Sequence, residues 1–80
     1  MISLIIKDVR GRKTPIEIEK NWKVEDLKKH YKETVGIATA VIDIEFTFSG
    51  RQMKNDIKLE LYHLVNGNEI IYTNRCDGGE

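Results

Sequence analysis

Pro15 stands inside an alternating run, Thr14-Pro15-Ile16-Glu17-Ile18-Glu19, and constrains the topology of this chain more than any other residue. Apolar and polar residues taking turns is the period of a half-buried strand. Proline has no backbone N–H to give to a ladder, so a strand that carries one belongs at the edge of a sheet. The segment before it, Ile2 to Asp8, alternates too, with Ile2, Leu4 and Ile6 on one side and Ser3, Ile5 and Lys7 on the other. Between them, Val9-Arg10-Gly11 fits a bulged three-residue hairpin, in which Gly11 takes a positive φ. The first twenty residues therefore read as a hairpin with its second strand on the outside.

The period then changes. Val24, Leu27, Tyr31 and Val35 recur at helical spacing, with Lys23, Lys28, Lys29, Lys32 and Glu33 on the other sides. Asn21 is the expected N-cap, Glu25 and Asp26 sit where the helix dipole favours anions, and Gly36 suits the left-handed position after the last turn. This predicts a helix over 22–35, with Trp22 as a packing residue at its start. Ile37 to Ile42 fits a loop or a short strand, and residues 38–43 fit a bulge or a longer loop. From Asp43 the strand period returns, with Ile44, Phe46 and Phe48 on one face; Ser49-Gly50 turns the chain and Arg51-Gln52-Met53 pairs briefly behind it. The stretch 54–63 reads as irregular with one short helical turn, Asn66-Gly67-Asn68 as a turn, and Glu69 to Asn74 as a last strand.

One amphipathic helix laid across one face of a mixed sheet is an α+β solution. Because the first hairpin puts its second strand at the edge, the last strand must lie centrally, beside strand one. That arrangement is a β-grasp, with four to five strands and one helix, and the expected core is Ile2, Leu4, Ile6, Ile16, Ile18, Val24, Leu27, Tyr31, Phe46, Phe48, Met53, Leu59, Leu64, Ile70 and Tyr72. Eighty residues leave room for one domain, here 1–74, with 75–80 expected to be a flexible tail.

Composition narrows the function classes. Thirteen basic and thirteen acidic residues give a net charge of zero, which supplies no long-range pull toward nucleic acid or an anionic membrane. No apolar run exceeds three residues, as in Leu4-Ile5-Ile6, so no spanning helix is expected. The N-terminus lacks the pattern of a signal peptide, and a single cysteine, Cys76, fits a reducing compartment. The expectation is an intracellular, cytoplasmic or nuclear monomer. No P-loop, zinc spacing or pair of catalytic carboxylates is present, His30 and His63 are far apart in sequence, and Cys76 has no neighbouring base. The chain is therefore expected to be no enzyme, with no cofactor and no metal.

Several short motifs, in order and nearly without gaps, resemble ubiquitin along essentially the whole chain. Lys32-Glu33-Thr34-Val35-Gly36-Ile37 resembles the end of that family's helix, and Phe48-Ser49-Gly50-Arg51-Gln52-Met53 resembles its Phe-Ala-Gly-Lys-Gln-Leu. Leu59, Leu61-Tyr62 and Leu64 resemble the run before its last strand, and Arg75 with Gly78-Gly79 stands in the place of its C-terminal Arg and Gly-Gly. The resemblance implies that the Tyr62 hydroxyl bonds a nearby loop backbone. It also implies that Lys28 is largely buried, with Asp43 or Asp56 as candidate partners. The family's apolar binding patch falls on Val9, Thr47, Ile71 and Thr73. Two of these are threonines, so the usual ubiquitin receptors are expected to bind weakly. Of the family's lysine places, Lys7 and Lys28 are kept, whereas Arg12, His30, Thr34, Arg51 and Asn66 fill the others.

Three functions follow from the resemblance. The first is a protein-interaction domain that binds a protein partner through Ile5, Val9, Thr47, Arg51, Ile71, Thr73 and Arg75. The second is a modifier conjugated through Gly78-Gly79 after removal of Glu80, with activating and conjugating enzymes as partners. The third and weakest is a sulfur carrier, because that family ends on the glycine itself. The tail favours the first over the second: Asn74, Cys76 and Asp77 replace Leu, Leu and Arg, and residues 41–80 carry four basic against seven acidic groups.

Overall fold

The computed structural model describes residues 1–74. The chain runs β1 (Ile2–Lys7), β2 (Lys13–Ile18), α1 (Val24–Val35), a 3₁₀ turn over Val41–Asp43, β3 (Ile44–Phe48), β4 (Arg51–Gln52), a second 3₁₀ turn over Leu59–Tyr62, and β5 (Glu69–Asn74). The strands form one five-stranded sheet in the order β2-β1-β5-β3-β4. β1 and β5 are parallel and every other pairing is antiparallel, which makes the sheet mixed. β2 lies at the edge with Pro15 opposite Ile5, and β5 takes the central place beside β1. The missing N–H of Pro15 is the physical reason for the first placement. The expected flexible tail, 75–80, lies outside the described residues.

Helix α1 starts later than the sequence pattern suggests, and Asn21 is not its cap. Trp22 to Val24 are held in an extended path by residues 57–59. The Trp22 carbonyl accepts the Leu59 N–H at 2.7 Å, Lys23 bridges Lys58, and the Val24 N–H reaches the Ile57 carbonyl at 3.0 Å. Lys23 is the N-cap, and the Asp26 carboxylate reaches back to accept its N–H at 3.0 Å. At the other end Gly36 adopts φ 75°, and the N–H groups of Gly36 and Ile37 both donate to the Lys32 carbonyl. A left-handed residue here lets the orphan carbonyls of the last turn find donors.

The core lies between α1 and one face of the sheet. Leu4, Ile6, Val24, Leu27, Phe46 and Ile70 are completely buried there. Ile44 joins them, fully buried on the Phe46 side of β3, although it was not among the expected core residues. Ile2, Phe48 and Tyr72 were expected inside and are instead half-buried, packed against the rim of the core. Tyr31 on α1 meets Phe46 edge-on, with ring centroids 5.8 Å apart, and Tyr72 at 5.2 Å. Such tilted contacts place the positive ring edge of one aromatic on the negative face of another. Trp22 packs against the same core and its ring lies edge-on to His30 at 5.4 Å.

Candidate protein-binding surface

Side chains alternate across a strand, so covering one face of the sheet with α1 leaves the other face open. On β1 the open-face residues are Ser3, Ile5 and Lys7; on β5 they are Glu69, Ile71 and Thr73; on β3 they are Glu45 and Thr47. Register places these side by side. Ile71 is flanked by Lys7 on β1 and by Thr47 on β3, Thr73 lies beside Glu45, and Ile5 lies between Pro15 and Glu69. Ile5, Thr47, Ile71 and Thr73 are thus brought onto one surface. Ile71 is 37% exposed, against 0% for its neighbour Ile70 on the core side.

The turn after β1 carries Val9, 76% exposed. Its position is fixed by Asp8, whose carboxylate accepts the N–H groups of Arg10 and Arg12, both at 2.9 Å. Gly11 completes the turn with φ 87° and an N–H to the Asp8 carbonyl. Lys13 on β2 reaches across β1 to the Glu69 carboxylate at 3.2 Å. Both partners are exposed, so this ion pair contributes little to stability. It leaves Lys7 as the cation next to Ile71.

Arg51 is placed elsewhere. Its cross-strand partner is Phe48, whereas Gln52 is the residue opposite Thr47. Arg51 therefore has the opposite parity from Thr47 and does not border Ile71. Sequence reasoning put it beside the patch from its place in the motif, without the strand register that decides parity. Arg75, Gly78 and Gly79 lie outside the described residues.

Two details implied by the resemblance can be compared directly. The Tyr62 hydroxyl accepts the Lys54 N–H at 3.0 Å, tying the second 3₁₀ turn to the loop after β4. Lys28 is buried, 4% exposed, but its partner is neither Asp43 nor Asp56: its ammonium donates to the Asn55 side-chain carbonyl at 2.6 Å. Burial pushes the Lys28 pKa below its ordinary value, and the negative field of Glu45 pulls it back up in part. Among the described residues no group of three or more His, Cys, Asp or Glu side chains is placed to hold a metal ion, and no helix is long and apolar enough to cross a membrane.

The family described as "Ubiquitin-2 like Rad60 SUMO-like" matches residues 2–71. The chain belongs to this ubiquitin-like family. The ubiquitin-like chain is also 28% identical over 74 residues to Ubiquitin-like protein 1 of Schizosaccharomyces pombe, an alignment that spans 92% of each. The family match runs from β1 into β5 of this ubiquitin-like domain and takes in Ile5, Thr47 and Ile71, whereas Thr73 lies beyond it.

Proposed function

We propose that this ubiquitin-like domain is a protein-interaction domain that binds a protein partner through the open face of its sheet, as a monomer and without catalysis of its own. The observation that carries the reading is Ile71, a large aliphatic residue on a central strand that no described element covers, with Ile5 on the same face and the exposed Val9 in the turn that follows β1. A partly desolvated aliphatic centre with a polar rim is the usual anatomy of a docking patch. Here the rim is Lys7, Thr47, Thr73 and the Lys13–Glu69 pair.

A photo-cross-linking amino acid placed at Thr47 would trap the partner in cells, and calorimetry would then compare the native domain with an Ile71→Asp variant. At least a ten-fold loss of affinity is expected. Unchanged affinity would remove the open face from the proposal.

Gly78-Gly79 supports a second reading, covalent attachment to other proteins. Hydrolysis of the Gly79–Glu80 peptide bond would free the amine of Glu80 and leave a Gly79 carboxylate. An activating enzyme would convert that carboxylate to an acyl adenylate with loss of pyrophosphate from ATP and then, with loss of AMP, to a thioester. From the thioester a conjugating enzyme would pass the acyl group to a lysine amine as an amide and recover its thiol. A denaturing, reducing blot of an N-terminally tagged chain tests it: a ladder lost on Gly79→Ala supports conjugation, and a single band rules it out.

A further inference from the structure

The β3–β4 turn and the 3₁₀ turn over Leu59–Tyr62 meet around a hollow of about 330 Å³, lined by Phe48, Ser49, Arg51, Leu61, Tyr62 and His63. Two independent observations set it apart. The first concerns the backbone. Ser49 (φ 57°) and His63 (φ 56°) are the only non-glycine residues with positive φ among the described residues, and both line this hollow. A left-handed conformation costs a side-chain-bearing residue roughly 1–2 kcal/mol, which glycine avoids. Ser49 closes the β3–β4 hairpin with Gly50 and His63 ends the second 3₁₀ turn, so these two turns hold both side chains at the rim of the hollow.

The second observation is chemical. The lining presents a guanidinium, two hydroxyls and an imidazole beside the apolar Phe48 and Leu61, and no carboxylate among the described residues. Leu61 is 63% exposed. Arg51 is exposed and makes no ion pair with a described residue. The Tyr62 oxygen already accepts the Lys54 N–H, which leaves its own proton to donate. A permanent cation among hydrogen-bond donors, with no carboxylate in the lining, is complementary to a carboxylate. The leucine beside it is complementary to an apolar side chain next to that carboxylate.

We propose that this hollow is a second docking site, which takes a glutamate or aspartate flanked by apolar residues from an acidic segment of a protein partner. Arg51 supplies the charge, and the left-handed backbone at Ser49 and His63 brings to the rim a hydroxyl and an imidazole that glycine would lack. The site is separate from the open face, because Arg51 pairs with Phe48 and has the opposite parity from Thr47. It therefore stands whether or not Ile71 binds anything.

The test titrates the ¹⁵N-labelled full chain with the peptide acetyl-Leu-Glu-Leu-amide and, in parallel, acetyl-Leu-Gln-Leu-amide, which differs only in the charge. The expected result is a set of shifts confined to the amides of 48–51 and 61–63, with the glutamate peptide bound about five-fold more tightly. Arg51→Gln, a change at an exposed position, should erase that preference, and Ile71→Asp should leave it intact. Equal affinity for the two peptides, a preference that survives Arg51→Gln, or shifts centred on Ile5 and Ile71 would each overturn the proposal. So would shifts at 48–51 and 61–63 that appear on concentrating the chain without peptide, since these would assign the hollow to a second copy.

Discussion

The ammonium of Lys28 donates to the side-chain carbonyl of Asn55 at 2.6 Å, so the buried charge of this domain rests on a neutral amide. Burial lowers the proton affinity of Lys28 below that of an exposed lysine, and Glu45 only partly opposes this. Between the lowered folded pKa and the ordinary value of 10.5, the unfolded chain binds more protons than the folded one. Stability from this group must then rise with pH across that window and level off above it. Lys28→Met removes the titration, so the stability difference of the native chain relative to this variant should move in favour of the native chain as pH rises toward 10.5. Urea unfolding at several pH values measures it, and a constant difference would show that Lys28 is not desolvated as the fold implies.

Asn55→Asp tests the same contact from the other side. A carboxylate in place of the amide gives the ammonium an ionised acceptor, and hydrogen bonds between charged groups are the stronger class. Stabilisation by about 1 kcal/mol is expected at pH 7, held to this size by the other acidic groups nearby. The pKa of Lys28 should rise, and if it passes that of the unfolded chain the pH dependence reverses, with stability lost as pH climbs through the folded value. Titration of the Lys28 side-chain resonances alongside urea unfolding follows both effects.

The β3–β4 turn offers a stabilising change. Ser49 and Gly50 both have positive φ, the signature of a two-residue hairpin that favours Asn-Gly. Ser49→Asn should stabilise by about 0.5 kcal/mol, a rise of about 2–4 °C in the melting temperature of a domain this size. A fall in melting temperature would mean that the serine hydroxyl contributes more to the turn than its backbone strain costs.

The difference between what was legible in the residues and what was not follows from range. Pro15, the alternation of Ile2, Leu4 and Ile6, and Gly36 act through their own backbone, and each predicts its place in the sheet or helix from local chemistry alone. The helix start was missed because Trp22, Lys23 and Val24 are held by Leu59, Lys58 and Ile57, partners more than thirty positions away that no local pattern reveals. Arg51 was misplaced for a related reason. Its side follows from the Phe48–Arg51 register, and a two-residue strand carries too little alternation to set that register from sequence. Lys28 was expected to find an aspartate; Asn55, one residue before Asp56, is the residue the loop delivers. Ser49-Gly50 shows in the sequence as a turn, but the left-handed backbone at His63 leaves no signal, because histidine does not announce a positive φ as glycine does.

Ile70 and Ile71 are the same residue in consecutive places on one central strand, yet their exposures are 0% and 37%. Strand alternation alone separates them, so the pair makes a direct test of which face is open. Ile70→Asp forces a carboxylate into the buried core beside Ile6, with loss of core packing and no partner for the charge. That combination should cost more than about 4 kcal/mol, comparable to the whole stability of a domain this small, and leave the chain largely unfolded at 37 °C. Ile71→Asp instead puts the carboxylate beside Lys7 on the solvated face, where the stability change should stay within about 1 kcal/mol. Circular dichroism melts of the two variants decide it. Should Ile71→Asp unfold the chain as Ile70→Asp does, the face would have to be covered by something, and the open sheet could not be the docking surface.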